Sequence, residues 1–137
     1  MSYELRDHTA DVAVAARAVT LGGVFAATAD GMAEAMAEDV PAETGTRFDV
    51  EERAESLEAL LFEYLDRLIY ERDVREVLPV DNEATVEETD DGWRLTGSAR
   101  GIPLSEVAAR DLKAVTYSQM EIREEASGWF AYVVFDV

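Results

Sequence analysis

The stretch from residue 57 to residue 72 constrains the fold more than any other part of the sequence. Large apolar side chains recur there every three or four residues, which is the spacing of one face of an α-helix. Ser56 precedes them as a helix N-cap. A helix with so broad an apolar face must pack on a core, so it is predicted to be scaffold rather than a site. The apolar residues are Leu57, Leu60, Leu61, Tyr64, Leu65, Leu68 and Ile69. The charged residues expected to face solvent are Glu58, Glu63, Asp66, Arg67 and Glu71.

A second, weaker helix is predicted to begin after Thr20 and to run to about residue 39. Its apolar residues recur at helical spacing, but Gly22, Gly23 and Gly31 interrupt them. Each glycine in a helix costs about 1 kcal/mol relative to alanine. Packing against the rest of the protein must therefore hold this helix.

The remaining periodic segments read as β-strands. Strands are predicted over residues 11–18 and 48–54, where apolar residues alternate with others. Two hairpins follow, residues 84–99 and residues 112–137, and the first turns at an Asp-Gly step. The chain, residues 1–137, is therefore predicted to be a single α+β domain with two main helices packed on a mainly antiparallel or mixed β-sheet.

Composition limits the classes of function. The formal net charge is −18, yet 48% of the residues are hydrophobic, which is too apolar for a disordered chain. Acid excess with few lysines is typical of a halophilic cytoplasm, where salt screens self-repulsion, and it argues against a broad phosphate-binding face. The absence of cysteine excludes disulfides and thiolate sites. With no apolar run long enough to cross a bilayer, the protein is expected to be soluble and cytoplasmic.

Lysine usage singles out one residue. The chain holds one lysine, Lys113, beside eleven arginines and thirty acidic residues. An ammonium is a compact charge whose pKa shifts readily, whereas a guanidinium is a planar fork that stays charged. A lysine kept where arginine is otherwise used indicates a role that arginine cannot fill. An edge-strand lysine that opposes aggregation would also explain why a single lysine is present. Strand alternation predicts that Lys113, Val115 and Tyr117 share one face.

Two further segments carry clustered carboxylates. Asp7-His8-Thr9-Ala10-Asp11 opens a strand, and Phe135-Asp136-Val137 places the Asp136 side chain beside the α-carboxylate of Val137. Close carboxylates repel one another unless a cation lies between them. With Asp11 as a third carboxylate, this all-oxygen set would suit a hard divalent ion, Ca²⁺ or Mg²⁺. A polar strand entry and a strand that ends at the surface would explain the same residues.

These three segments resemble the sequence motifs of the archease family. The motifs are an N-terminal His-Thr-Ala-Asp, a central Lys-Ala-Val/Ile-Thr-Tyr, and an aromatic or aliphatic residue followed by Asp-Val/Ile at the end. They stand here as residues 8–11, 113–117 and 135–137, and the leucine-rich helix around residues 60–70 is also similar, so the resemblance covers the whole chain. Many members have His after Thr-Tyr, but Ser118 stands here, so no essential imidazole is expected at that position.

The resemblance implies an archease-like fold and a function in tRNA splicing. Archeases are partners of the RtcB-type RNA-splicing ligase, so this chain is expected to promote guanylylation and multiple turnover of that ligase and to broaden its nucleotide use. The resemblance also implies a divalent ion, Ca²⁺ first and Mg²⁺ second, held by Asp11, Asp136 and the terminal carboxylate of Val137. Lys113 takes the place of the family's functional lysine, which we expect to approach a nucleotide or phosphate in the ligase. No stable binding to nucleic acid or to membranes is expected.

Two other classes of function compete with this interpretation. A metal-dependent hydrolase or nuclease would use Asp11, His8 and Asp136, but the sequence offers no second acid cluster, no activated nucleophile and no basic path for a substrate. The third class is a general chaperone or nucleic-acid-binding module. Against it, the sequence has no basic stripe with interleaved aromatic residues. The expectation is therefore a protein cofactor and not an enzyme.

Overall fold

The computed structural model describes residues 2–8 and 11–137, and for residues 6–8 it describes the backbone alone. Within that part of the chain, strands and helices follow one another through short connections, with a 3₁₀ turn at Leu104–Glu106 before the last hairpin. The elements are β1 Ser2–His8, β2 Asp11–Ala18, α1 Leu21–Met36, β3 Thr46–Ala54, α2 Leu57–Arg75, β4 Val77–Thr89, β5 Gly92–Pro103, β6 Ala114–Glu125 and β7 Gly128–Asp136.

The strands form two sheets and not one. A four-stranded sheet has the order β1-β2-β7-β6, and a three-stranded sheet has the order β3-β5-β4. Every described strand pair is antiparallel. The predicted α+β class with two main helices is confirmed, and the antiparallel alternative within it is the one that forms. The division into two sheets was not predicted, because alternation gives strand positions but not strand partners.

Strand β1 was also missed by the sequence analysis. It pairs antiparallel with β2 from Ser2 opposite Arg17 to His8 opposite Asp11, and it forms one edge of the four-stranded sheet. Tyr3 and Leu5 alternate with polar residues in this segment and are both more than a third exposed. So short and exposed an apolar pattern is a weak signal for a strand.

Helix α2 forms where it was predicted and continues for three further residues. The Ser56 hydroxyl accepts a hydrogen bond from the amide of Ala59 at 3.1 Å, which confirms the N-cap. The helix ends at Glu76, whose φ of 55° is left-handed. One predicted solvent-facing residue is misplaced, because Glu71 is only 5% exposed. Arg67 and Arg75 both donate hydrogen bonds to the Glu71 carboxylate and compensate its burial.

Helix α1 begins after Thr20, as predicted, with the Thr20 hydroxyl accepting from the amide of Gly23 at 3.0 Å. The expectation that packing holds this helix is confirmed at two of its glycines. A Cβ on Gly22 would lie 2.2 Å from the carbonyl oxygen of Ala84 in β4. A Cβ on Gly31 would lie 2.6 Å from Cγ1 of Val14 in β2. The glycines therefore let α1 pack closely on both sheets.

The hydrophobic core is shared by the helices and both sheets. Helix α1 packs against β1, β2 and β7 of the four-stranded sheet and against β4 of the other sheet. Helix α2 packs against β6 of the first sheet and against the strands of the three-stranded sheet. Among the residues that the structure describes, no helix is long and apolar enough to cross a membrane. The helices thus tie the two sheets into one core.

Candidate functional site

The two aspartates predicted to share a site lie opposite each other. Strand β2 begins at Asp11 and β7 ends at Asp136, and the antiparallel register pairs these two residues directly. Directly opposed residues project to the same face of a sheet, with their Cβ atoms about 4.5–5.5 Å apart. Asp136 is exposed and Asp11 is partly buried. Residues 125 positions apart in sequence therefore meet at one end of the four-stranded sheet.

Lys113 joins the same end of the sheet from the other side of β7. Its backbone N–H donates a hydrogen bond to the carbonyl oxygen of Asp136 at 2.8 Å, and the next residue, Ala114, pairs with Asp136 in the β6–β7 ladder. The Lys113 side chain is exposed. Asp136 is thus flanked by Asp11 in β2 and by Lys113 at the start of β6. The three segments singled out in the sequence converge here.

The hairpin predicted over residues 112–137 forms as β6 and β7, but a bulge that was not predicted interrupts the pairing. Strand β6 begins at Ala114 and pairs regularly as far as Thr116, and the ladder resumes only at Glu121. Thr116 is opposite Val134 and Glu121 is opposite Tyr132, so four residues, 117–120, oppose a single residue of β7. Gln119 within this bulge has a φ of 67°. Bulges of this kind redirect side chains and are frequent beside functional sites.

Lys113 precedes β6, and Tyr117 lies in the bulge, so these residues do not continue the alternation of one regular strand. Val115 is buried in the core, whereas Lys113 is exposed, so the predicted common face of Lys113, Val115 and Tyr117 does not form. Tyr117 is 51% exposed, and its ring lies 5.6 Å from that of Phe62 in α2. Tyr117, the first residue of the bulge, therefore contacts α2.

The charges at this end of the sheet are suited to a cation. Two carboxylates of the same sign face each other across β2 and β7, and such a pair repels unless a cation lies between. Val137 follows directly and packs partly against the core. Among the side chains that the structure describes, those of residues 2–5 and 11–137, no group of three or more His, Cys, Asp or Glu could hold a metal ion. A metal here would need ligands in addition to the two aspartates, and the terminal carboxylate of Val137 follows Asp136 directly in the chain.

The remainder of the predicted N-terminal cluster lies outside what the structure describes. Thr9 and Ala10 are not among the described residues, and the side chains of Asp7 and His8 are not described. The backbone of His8 pairs with Asp11 in the β1–β2 ladder. A role for the His8 imidazole stays a prediction.

A separate cavity of about 680 Å³ lies beside the C-terminal half of α1. Burial raises the pKa of Asp30, although hydrogen bonds from the amide and side chain of Asn82 act in the opposite direction. Burial and a hydrogen bond with Glu34 raise the pKa of Tyr3 to about 12. None of Asp11, Lys113 and Asp136 lines this cavity, so it is distinct from the site at the end of the four-stranded sheet. Its acidic lining residues are Asp30, Glu34, Glu38, Asp39 and Asp81.

Sequence reasoning missed one residue beside the site. Arg72 of α2 is only 8% exposed, and its Nη1 donates a hydrogen bond to the carbonyl oxygen of Leu112 at 2.8 Å. A signal for it exists, because position 72 follows Leu65 and Leu68 along the apolar stripe of the helix. An arginine on an apolar stripe indicates a buried cation with dedicated partners.

Comparison with known proteins agrees with the family resemblance of residues 8–11, 113–117 and 135–137. The chain matches the sequence model of the Archease protein family (MTH1598/TM1083) over residues 3–137. Protein archease of Methanothermobacter thermautotrophicus is 34% identical over 137 residues, covering 98% of each chain. Protein archease of Thermococcus gammatolerans is 32% identical over 139 residues, again covering 98% of each.

Solved structures agree as well. The solution structure of Methanobacterium thermoautotrophicum protein 1598 superposes with a TM-score of 0.86 at 33% identity and 98% coverage of both chains. The crystal structure of an archease, possible chaperone, from Thermotoga maritima superposes with a TM-score of 0.66 at 18% identity, covering 98% of this chain and 96% of that chain, and supports the fold alone. Because the family's sequence model spans nearly the whole chain and full-length relatives share its fold, this chain belongs to the archease family.

Proposed function

We propose that this protein is a non-enzymatic activator of the RtcB-type RNA-splicing ligase, promoting guanylylation and multiple turnover of that enzyme and broadening its nucleotide use. One observation carries the proposal, which is the convergence of Asp11, Lys113 and Asp136 at one end of the four-stranded sheet. Membership of the archease family supports it. An exposed end of a sheet can be offered to another protein without any rearrangement of the core.

Lys113 is the residue that we propose acts on the ligase. It is the only lysine of the chain and is exposed at the end of the sheet beside Asp136. An ammonium on a flexible stem can approach a phosphate as a point charge, whereas a guanidinium presents a wider planar fork. The acidic residues around it reduce attraction to RNA in general, which favours a contact made only inside a protein complex.

The test is RNA ligation by the cognate ligase under multiple-turnover conditions, with this protein present in a trace amount at high salt. Wild type is expected to let each ligase molecule turn over many times, and Lys113→Ala to abolish this effect. Lys113→Arg separates a requirement for an ammonium from a requirement for any positive charge. Arg53→Ala in β3, an exposed cation on the other sheet, is the control and should activate as wild type does.

Three results would contradict the proposal. Equal activation by wild type and Lys113→Ala would remove the role of the lysine. No activation by wild type would leave family membership as a statement about fold alone. Cleavage of RNA by the purified protein without the ligase, lost in Asp11→Ala, would favour the metal-dependent hydrolase or nuclease instead.

We also propose that a divalent ion, Ca²⁺ in preference to Mg²⁺, binds between Asp11, Asp136 and the terminal carboxylate of Val137. The opposed aspartates supply oxygen ligands from two strands, and hard cations prefer such oxygens. Ca²⁺ tolerates irregular coordination by six to eight oxygens, whereas Mg²⁺ demands a nearly ideal octahedron. When bound, the ion would neutralise the paired carboxylates and fix the end of the sheet that bears Lys113.

Thermal unfolding with and without Ca²⁺ tests this site independently of the ligase. Free Ca²⁺ at about one hundred times its Kd stabilises a single-site protein by about 2.7 kcal/mol, or roughly 9 °C for a chain of this length. Asp11→Asn and Asp136→Asn are expected to lose the shift, and residues appended after Val137 are expected to weaken it. Asp90→Asn, at a hairpin turn, is the control. A shift that survives both aspartate substitutions would place the ion elsewhere.

A further inference from the structure

Arg72 is a buried cation that neither the core nor the proposed site explains by itself. The buried charged residues among those the structure describes are Glu71 and Arg72, both in α2. Glu71 is compensated by Arg67 and Arg75, which hydrogen-bond its carboxylate. Arg72 has a different set of partners, which lie outside its own helix as well as within it. A buried guanidinium is tolerated only when its N–H groups are hydrogen-bonded, so the partners of Arg72 indicate its structural role.

The guanidinium of Arg72 joins three parts of the chain. Its Nη1 lies 2.8 Å from the carbonyl oxygen of Leu112 and 3.3 Å from Sδ of Met36, the last residue of α1. Its Nε donates to Oδ1 of Asp73 at 3.0 Å, and its Nη2 lies 3.9 Å from Oδ1 of Asp111. The planar fork of an arginine can serve several acceptors at once, which the ammonium of a lysine does less well.

The contact to Leu112 acts on the peptide unit that leads into Lys113. That unit is planar, so its carbonyl oxygen and its N–H move together. The oxygen, on Leu112, accepts from Arg72, and the N–H, on Lys113, donates to the carbonyl oxygen of Asp136. One end of the peptide plane is thus held by α2 and the other by β7. The orientation of this plane, together with the φ angle of Lys113, sets the direction in which the Lys113 side chain leaves the backbone.

The segment before this peptide unit is also anchored, but to a different helix. The backbone N–H of Arg110 donates to the carbonyl oxygen of Met36 at 2.7 Å, and its Nε donates to that of Ala35 at 2.7 Å. Leu112 itself is fully buried. The irregular connection from the 3₁₀ turn to β6 is therefore fixed to the end of α1 first and to α2 second. Arg72 makes the last of these contacts before the lysine.

We infer that Arg72 is a positioning residue for Lys113, holding the Leu112–Lys113 peptide plane so that the lone lysine stands beside Asp136, at the end of the sheet that also bears Asp11. The inference concerns the orientation of Lys113, and its importance for ligase activation rests on the proposed function. A helix that reads as core scaffold thereby reaches the site through a single buried side chain.

Amide hydrogen exchange tests the inference on the protein alone. Arg72→Met keeps a long side chain in the buried position but removes every donor. The Lys113 amide is expected to exchange about tenfold faster in Arg72→Met than in wild type, because one of the two contacts that hold its peptide plane is lost. Arg67→Met is the matched control, because Arg67 lies in the same helix and bonds Glu52 and Glu71 instead. It should leave the Lys113 amide unchanged.

The single lysine offers a second readout. Reductive methylation with ¹³C-formaldehyde gives one dimethyl-lysine NMR signal, which reports on the surroundings of Lys113 alone. Its chemical shift is expected to move in Arg72→Met and to stay in place in Arg67→Met. If Arg72→Met does not fold, Arg72→Gln takes its place, because its amide keeps one NH₂ group in place of the larger guanidinium. Unchanged exchange and an unchanged signal, or equal changes in both variants, would overturn the inference.

Ligation then separates the inference from the proposed function. If Arg72 positions the lysine, Arg72→Met should lower the maximal activation of the ligase at saturating concentrations of this protein, while the half-saturating concentration stays close to that of wild type. A change in Lys113 exchange together with normal activation by Lys113→Ala would uphold the positioning role and refute the proposed function. Normal exchange of the Lys113 amide in Arg72→Met, together with lost activation by Lys113→Ala, would refute the positioning role and uphold the proposed function.

Discussion

At the scale of single residues, a partly buried carboxylate, Asp30, links helix α1 to strand β4. Asp30 of α1 accepts hydrogen bonds from the amide of Asn82 at 3.0 Å and from its side chain at 2.8 Å. Asn82 belongs to the irregular part of β4, where the register with β5 shifts between Val80 and Glu83. One carboxylate thus fixes a strand irregularity to a helix, and it does so from a partly buried position.

We predict that Asp30→Asn makes the protein more stable at neutral pH. Burial raises the pKa of Asp30 above its ordinary value of 3.8, against the hydrogen bonds from Asn82, so the folded state holds this proton more tightly than the unfolded state. Stability is therefore lost as the pH rises through the range above 3.8. Asparagine stays uncharged, and its carbonyl oxygen can still accept both hydrogen bonds from Asn82.

Thermal unfolding between pH 3 and pH 8 in molar salt measures this difference. Asp30→Asn should have the higher Tm at pH 7, and the two curves should converge as the pH falls below 3.8, where Asp30 becomes protonated in both states. Asp49→Asn, an exposed carboxylate in β3, is the control and should show no such gap. A lower Tm for Asp30→Asn at pH 7 would mean that the ionised carboxylate stabilises the fold.

At the scale of elements, helix α1 shows how packing overrides intrinsic preference. Its glycines disfavour a helix, yet α1 can approach the strands closely only where a glycine carries no Cβ. Gly22 lies against backbone, the carbonyl of Ala84, whereas Gly31 lies against a side chain, that of Val14. The two clashes that an alanine would create are therefore of unequal severity, since a side chain can shift and a paired strand cannot.

We predict that Gly22→Ala destabilises the protein more than Gly31→Ala. Alanine raises helix propensity by about 1 kcal/mol in a helix interior such as Gly31 and by less in the first turn, where Gly22 lies, so packing must account for a larger difference. We expect Gly22→Ala to cost about 3 kcal/mol or more, as for severe overpacking, and Gly31→Ala to cost about 1–2 kcal/mol. Urea unfolding measures both. Val14→Ala should recover part of the loss in Gly31→Ala, and equal losses in the two variants would contradict the argument.

At the scale of the whole molecule, a formal net charge of −18 opposes the compact state through self-repulsion. The chain carries thirty acidic residues and twelve cationic ones. Several described ion pairs are exposed, and exposed pairs contribute little. Dissolved ions must therefore screen the self-repulsion of the compact state. The Debye length is about 10 Å at 0.1 M salt and about 3 Å at 1 M.

We predict that the free energy of unfolding rises steeply as KCl increases from 0.1 M to 1 M. A variant that neutralises three exposed acids, Glu51→Gln, Glu88→Gln and Asp91→Asn, changes the formal charge from −18 to −15. It should be more stable than wild type at 0.1 M and gain less from added salt. Equal salt slopes for the two proteins, measured by urea unfolding, would show that the gain comes from the effect of salt on apolar burial instead.

The sequence determined several elements and all three motif segments of this protein. Helix α2 and its Ser56 cap, the Thr20 cap of α1 and both C-terminal hairpins follow from local periodicity and turn chemistry, which need only neighbouring residues. The resemblance of residues 8–11, 113–117 and 135–137 to archease motifs is likewise a property of short segments, and the matching family confirms it. Local rules act over a few residues and can be read from the chain.

The tertiary structure alone decided which segments meet. Strand partners are set by the burial of whole faces, so neither the two sheets nor the pairing of Asp11 with Asp136 could be read from alternation. The bulge at residues 117–120 and the burial of Glu71 and Arg72 depend on neighbours distant in sequence. Arg72 reaches Leu112 across 40 positions because α2 packs beside β6. Such contacts form only when the core assembles, since hydrophobic burial fixes the layers and the polar groups then find partners within them.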